Sequence, residues 1–225
     1  MNNCVITYIY GSNKEILREP KVIDKDTEYL CITDNPNLQS NAWNIILDPM
    51  KEINSLRDKV AYIKFNPFKY TNAENILVMD GTMEIKTSLI SLFEEIKDYD
   101  IGLKLHTYHL NLKAELPHWL HRGLTKNEFI KFIKMAEFDK IDLSKVTEYE
   151  GCLILYKNND FCKKFGNEVL SYMYFLSDSD NLIVTNQCPL SYITHKNYIN
   201  NKILKINQFN YFNRYEHNQN KVNKT

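Results

Sequence analysis

The sequence predicts an α/β fold, a mixed, mostly parallel sheet flanked by helices. Short β-branched or aromatic runs recur along the chain, and each stops at a turn signal. Helical apolar periodicity appears between the later runs. The first hundred residues therefore read strand, strand, strand, helix, strand, helix, the order of a chain that lays parallel strands under helical crossovers.

Val5–Tyr10 (VITYIY) is a buried strand that ends at Gly11-Ser12-Asn13. Glu28–Thr33 is a second strand, closed by Asp34-Asn35-Pro36, and Trp43–Leu47 a third, closed by Asp48-Pro49. Ser55 opens a helix: Ser55 and Asp58 have capping-box spacing, and Leu56, Val60 and Ile63 share a face. Ile76–Met79 is a short apolar strand, and Thr87 or Ser88 caps a helix to about Lys97. Ile101–Leu105 is a strand, Thr125 and Glu128 begin a strongly periodic helix, and Gly151–Tyr156 is a strand. Asn167–Leu176 and Asn186–His195 are helices, the second with Pro189 in its first turn. No repeat or linker interrupts the chain. Residues 1–212 are expected to form one domain and residues 213–225 a polar tail that frays.

The 225 residues suffice for one substantial core. Lys+Arg and Asp+Glu balance at 28 each, which argues against a bulk electrostatic partner such as duplex nucleic acid or an anionic membrane. A local basic cleft for a phosphate ligand is compatible with that balance. The five cysteines form no C-x-x-C pair and lie mostly in apolar runs, the pattern of reduced structural thiols in a cytoplasmic protein. The N-terminus lacks the charge and apolar run of a signal peptide, and no stretch reaches the ~18–20 apolar residues of a transmembrane segment.

Ligands of such sheets bind beyond the carboxyl ends of the strands, and Gly11, Asp34 and Asp80 all fall there. Asp80 directly follows the run ILVM. Read alone, it is either the first residue of an Asp-Gly turn or a ligand for a hard cation, with Thr82 adding a hydroxyl. Arg57 and Lys64, two turns apart on one helix, could neutralise a diphosphate or form a solvated face. Glu115, Glu148 and Glu150 are acids near strand ends and candidates for a proton-accepting base. The spacing of His106, His109, His118, His121 and His195 forces no zinc site. No G-x-G-x-x-G follows the first strand, which disfavours a dinucleotide-dependent oxidoreductase.

Taken in order, these pieces resemble the GT-A glycosyltransferases related to plant TOD/MUCI proteins and to bacterial capsular-polysaccharide and LPS glycosyltransferases. The family's "T-x-x-Y-G", "F-T-D" and tryptophan strands correspond to Thr7–Gly11, Cys31–Asp34 and Trp43. Its "R…K-x-x-P-H" helix and turn correspond to Arg57, Lys64 and Pro67, with Phe68 at the usual histidine. Its "W-I-D-G-N-I-x-I" corresponds to Val78–Ile85. In the second half, His106 and His109 fall where the family has a histidine and an arginine. Residues 150–156 match "E-x-G-x-I-x-R" with Tyr156 at the arginine, and residues 185–192 match "R-D-Q-x-S-x-x-Y" with Asn186 at the aspartate.

The resemblance implies a GT-A-like (Rossmann-like) fold and a nucleotide-diphosphate sugar donor, UDP-linked, bound with Mn²⁺ or Mg²⁺. It implies transfer to a glycan acceptor in polysaccharide biosynthesis. It places Thr7, Tyr10, Gly11 and Asp34 in the nucleotide cleft, with Arg57 and Lys64 assisting at the diphosphate. Asp80, Thr82 and His217 fall at metal-ligand positions, and Asn186 and Gln187 near the sugar or acceptor as the catalytic pair. It assigns no base. The alternative is a GT-A-like module that binds a nucleotide sugar or glycan without transferring it.

Overall fold

A computed structural model describes residues 2–11, 16–121, 123–178 and 186–215. Its elements in chain order are β1 (Asn3–Ile9), β2 (Thr27–Thr33), β3 (Asn44–Leu47), α1 (Leu56–Phe65), β4 (Asn75–Met79), β5 (Met83–Ile85), α2 (Ile90–Glu95) and β6 (Ile101–Leu105). They continue with α3 (Leu112–His121), α4 (Lys126–Phe138), β7 (Tyr149–Lys157), α5 (Asp160–Leu176), α6 (Gln187–Tyr198), β8 (Ile203–Ile206), α7 (Gln208–Tyr211) and β9 (Phe212–Arg214).

Seven strands form one sheet in the order β3-β2-β1-β4-β7-β6-β8, and only β7 runs against the rest. The mixed, mostly parallel sheet expected from the sequence is present. Strands β1, β4 and β7 lie in the middle of the sheet and are buried along almost their whole length, which is why they read as unbroken apolar runs without alternation. Two apolar layers sandwich them. One gathers Ile6, Ile63, Phe65, Phe165 and Tyr192 with α1, α5 and α6; the other gathers Leu77, Leu92, Phe93 and Phe212 with α2 and β9.

The helix starts follow their caps. Ser55 accepts from the Asp58 amide at α1, and Thr125 and Glu128 form a reciprocal capping box at α4. Helix α5 starts at Asp160, earlier than the apolar periodicity indicates, because the Asn159 side chain accepts from the Cys162 amide. Strand β9 closes a second, two-stranded sheet with β5. Residues Asn213 and Arg214, beyond the expected boundary at 212, belong to that strand.

Gly166 of α5 is where α1 makes its closest approach. A Cβ there would stand 1.9 Å from the Phe65 carbonyl oxygen. Gly166→Ala is expected to cost about 1–3 kcal/mol, since backbone rather than a pliable side chain must yield. A urea titration against the unsubstituted protein measures it. An unchanged midpoint would mean that the helices pack less tightly than described.

Candidate functional site

The strand order reverses beside β1: the chain leaves it for β2 and β3 on one side and returns to β4 on the other. The crevice beyond the carboxyl ends of β1 and β4 is the switch point at which sheets of this kind take their ligands. Gly11, Asp34 and Asp80 stand at that edge.

Asp80 fills the turn role, and its carboxylate is left over for other partners. Its carbonyl accepts from the Met83 amide at 3.0 Å, closing the turn into β5, and its own amide donates to the Cys152 carbonyl at 3.0 Å. The carboxylate is free of the turn. Oδ1 accepts from Tyr8 Oη and lies 2.8 Å from Lys64 Nζ. The Lys64 side chain is 7% exposed and that of Asp80 21%, so the ammonium is sunk in the wall while the carboxylate still meets solvent. Lys64 is held from behind: Tyr156 Oη donates to its carbonyl at 2.8 Å, and the Phe68 ring packs edge-on against Tyr156. The two aromatic departures from the family pattern therefore touch each other and brace the lysine.

The side of the crevice where the sequence places a nucleotide is built from loop closures. The Gly11 amide donates to both Asp34 oxygens at 3.2 and 3.3 Å, tying the ends of β1 and β2 together. Gly11 has φ +83°, which only glycine adopts without strain, and a Cβ there would meet Leu56. Tyr10 Oη donates to the Asp48 carbonyl at 2.5 Å. Thr7 is buried, and its hydroxyl donates to the Met79 carbonyl at 3.2 Å, so it joins β1 to β4 rather than facing the cleft. Arg57 is exposed. Its spacing from Lys64 is right for one face, but Leu56 and Arg57 at the start of α1 are exposed while its last turn, at Phe65, is clamped onto Gly166.

On the next strand, Glu150 carries a second charge cluster. Lys104 Nζ lies 2.7 Å from Oε1, Arg214 Nη1 lies 2.7 Å from Oε2, and the Thr107 amide donates to Oε1 at 2.9 Å. Burial pushes this carboxyl up, but the Lys104 and Thr107 hydrogen bonds and the two cationic charges outweigh it and bring it from 4.5 down to about 2. So firmly ionised a carboxylate makes a poor proton acceptor. Glu115 and Glu148 have no exposed surface. None of the three candidate acids is placed as a direct base. Arg214 half emerges to solvent, and Asp80 adds to the negative field that keeps its guanidinium charged.

Asn186, at the start of α6, lays its side chain over Gly151; a Cβ on that glycine would stand 2.8 Å from Asn186 Oδ1. Asn186 and Gln187 are half-buried, and the first lies at the strand between the Asp80 and His106 edges. His217 lies outside the described residues. Tyr8, Lys104 and Arg214 are absent from the sequence reading. Strand alternation puts Tyr8 on the face opposite Thr7 and could have drawn attention to it, whereas nothing local marks Lys104 or Arg214.

A hard divalent cation binds through one or two carboxylates, with water and ligand phosphates completing its shell. Asp80 offers one partly exposed carboxylate, and Thr82 a neighbouring hydroxyl. Among the described residues no three His, Cys, Asp or Glu side chains converge on one point. This donor set fits a cation shared with a diphosphate and does not fit a cage made by protein alone.

No family model matches the chain, and no curated protein sequence does either. Among solved structures it is similar to mouse xyloside xylosyltransferase 1 in its apo form, at TM-score 0.52 and 9% identity, over 92% of this chain and 86% of that one. The fold is GT-A-like. No helix of the described residues is long and apolar enough to cross a membrane.

Proposed function

We propose that this chain is a glycosyltransferase that takes a sugar from a nucleotide diphosphate, UDP, and passes it to a glycan acceptor. The observation that carries the reading is the Lys64–Asp80–Tyr8 cluster at the switch point of a GT-A-like sheet, with Arg214 beside it. Tyr10, Gly11 and Asp34 line the nucleotide side. Lys64 and Arg214 supply positive charge where the diphosphate leaves, the position at which fixed charge lowers a transfer barrier most. Asp80 and Thr82 would hold Mn²⁺ or Mg²⁺, which when bound stabilises the charge growing on the leaving diphosphate. Asn186 and Gln187 face the sugar or its acceptor. The five cysteines are unpaired and buried, which supports a reducing, cytoplasmic setting.

The test is thermal unfolding in the presence of UDP and a panel of UDP-sugars, with Mn²⁺, with Mg²⁺ and with chelator. A ligand at a hundred times its Kd stabilises by about 2.7 kcal/mol, which in a domain of this size raises Tm by several degrees. The largest rise is expected with a UDP-sugar and Mn²⁺ together. If no nucleotide sugar shifts Tm under any of these conditions, the donor site is misassigned. Binding without donor turnover would favour the non-catalytic module, a reading for which the arginines missing at His109 and Tyr156, and Asn186, speak.

A further inference from the structure

The transferase reading leaves the acceptor's proton without a destination, and the cluster that follows β6 supplies one. Its members are His106, His109 and, from α3, Glu115 and His118. The His106 Nδ1 accepts from the amides of Tyr108 at 3.2 Å and His109 at 2.9 Å, so its proton sits on Nε2, which faces Glu115 Oε2 at 3.8 Å. That ring is 8% exposed and pinned, and burial holds its pKa below the ordinary value. His109 is different. Its Nε2 lies 3.3 Å from the same Glu115 oxygen, its side chain is 24% exposed, and its ring lies 4.7 Å from that of His118. With Nε2 turned toward a buried carboxylate, Nδ1 presents its lone pair away from Glu115.

A carboxylate placed beside one imidazole nitrogen, with the other nitrogen left to accept, is an arrangement in which the ring can serve as a general base. Its place suits that role. The His106 amide donates to the Glu148 carbonyl and the Asp80 amide to the Cys152 carbonyl, so the two groups border opposite edges of β7. Asp80 ends β4 and His106 follows β6, two strands apart and offset by four residues of β7, a separation of about 16 Å. A diphosphate and its sugar together could span that distance to an incoming hydroxyl, and Asn186 on Gly151 lies at the intervening strand. Tyr108, 84% exposed, flanks His109 on the solvent side, where a sugar ring of the acceptor could rest on it.

We propose that His109 is the acceptor-side base and Glu115 its positioning residue, an assignment that rests on the transferase reading. The acceptor hydroxyl gives its proton to His109 Nδ1 as its oxygen bonds to the anomeric carbon. The bond from that carbon to the diphosphate oxygen breaks, and its electron pair leaves with the nucleoside diphosphate. Water can take the acceptor's place, so donor hydrolysis reports the same base. Among the described residues, the titratable groups that face His109 are Glu115 and His118 from α3 and His106 from its own loop.

The experiment compares the unsubstituted protein with H109Q, H109A and E115Q for hydrolysis of whichever UDP-sugar gives the largest thermal shift. Both His109 variants should lose about 10²–10⁴-fold in kcat, with donor KM and the donor-induced Tm rise unchanged. The acid limb of the kcat/KM profile should vanish in both. Added imidazole should restore part of the H109A rate, which a purely structural histidine would not allow. E115Q should lower kcat by a smaller factor. Should H109A prove unstable, H109Q, which preserves side-chain polarity toward Glu115, decides the matter. Turnover by H109Q equal to that of the unsubstituted protein, with the acid limb intact, overturns the base and leaves the transferase standing. A protein that hydrolyses no donor at all overturns both.

Discussion

Asp80→Ala is expected to destabilise the protein by about 3 kcal/mol, and Asp80→Ala combined with Lys64→Met to recover most of that loss without recovering donor turnover. The first effect follows from burial. With only 7% of its side chain exposed, Lys64 depends on Asp80 and Tyr8 for its ion pair and its aromatic contact. Removing the carboxylate leaves an ammonium in a low-dielectric wall, and breaking a buried pair from one side costs about 3–5 kcal/mol. The partial exposure of Asp80 points to the lower end. In a domain of this size that is a fall of roughly 6–12 °C in Tm. Methionine at 64 fills the same channel without a charge, so the double variant has nothing to desolvate. Turnover behaves otherwise, because the carboxylate and the ammonium both lie where the proposed donor would place its diphosphate. Both variants are expected to lose at least about 10²-fold, the scale of deleting one preorganised electrostatic group. Calorimetric unfolding and UDP-sugar hydrolysis on the four proteins of the cycle separate the two roles. Recovery of metal-stimulated turnover along with stability in the double variant would show that the pair is structural only.

The double duty of Asp80 explains how much of this site was legible. A carboxylate at the end of a buried parallel strand can be read from four apolar residues and the acid that follows them. The Lys64 match follows from helix periodicity plus a proline three residues later. Both signals are local. The partners that define the chemistry are not local. Arg214 reaches Glu150 only because Phe212–Arg214 pairs with Met83–Ile85 from the far end of the chain, and three residues flanked by a polar, Asn-rich tail carry no strand signature. Lys104 sits inside an apolar run, where its charge argues against the burial it in fact has.

Glu150 shows the other limit of local reading. Sequence gives the residue type and its nearness to a strand end, from which a base is a fair expectation. What a carboxyl does is set by its partners, and two cations turn this one into a counter-ion. Register adds to the effect: the β6–β7 pairing slips between Leu103 and Lys104, which sets Lys104 opposite Glu150. His109 and Tyr156, where the resemblance led to an expectation of arginine, follow the same rule. One position holds an imidazole backed by Glu115, the other an aromatic brace under Lys64, and a guanidinium enters the cluster from β9 instead.

Glu150 should make stability depend on pH below 5. Its folded pKa of about 2 lies beneath the ordinary 4.5, so the folded state binds this proton less readily than the unfolded chain. The stabilisation is present in full above pH 4.5, shrinks as the pH falls, and is gone once it has dropped through about 2. At 1.36 kcal/mol per unit it amounts to about 3 kcal/mol. Glu150→Gln should therefore be less stable than the unsubstituted protein by about that much at pH 7, because Lys104, with 2% of its side chain exposed, loses its anion. The gap should close as the pH is lowered from 5 toward 2. Urea midpoints of both proteins across that range give the slope directly, and the difference between them cancels the other carboxylates. A gap that stays constant over the whole range would mean that Glu150 is not ionised against Lys104 and Arg214 in the folded protein. Arg214 would then lack the anchor that holds its guanidinium within electrostatic reach of Asp80, and the charge proposed for the leaving diphosphate would rest on Lys64 alone.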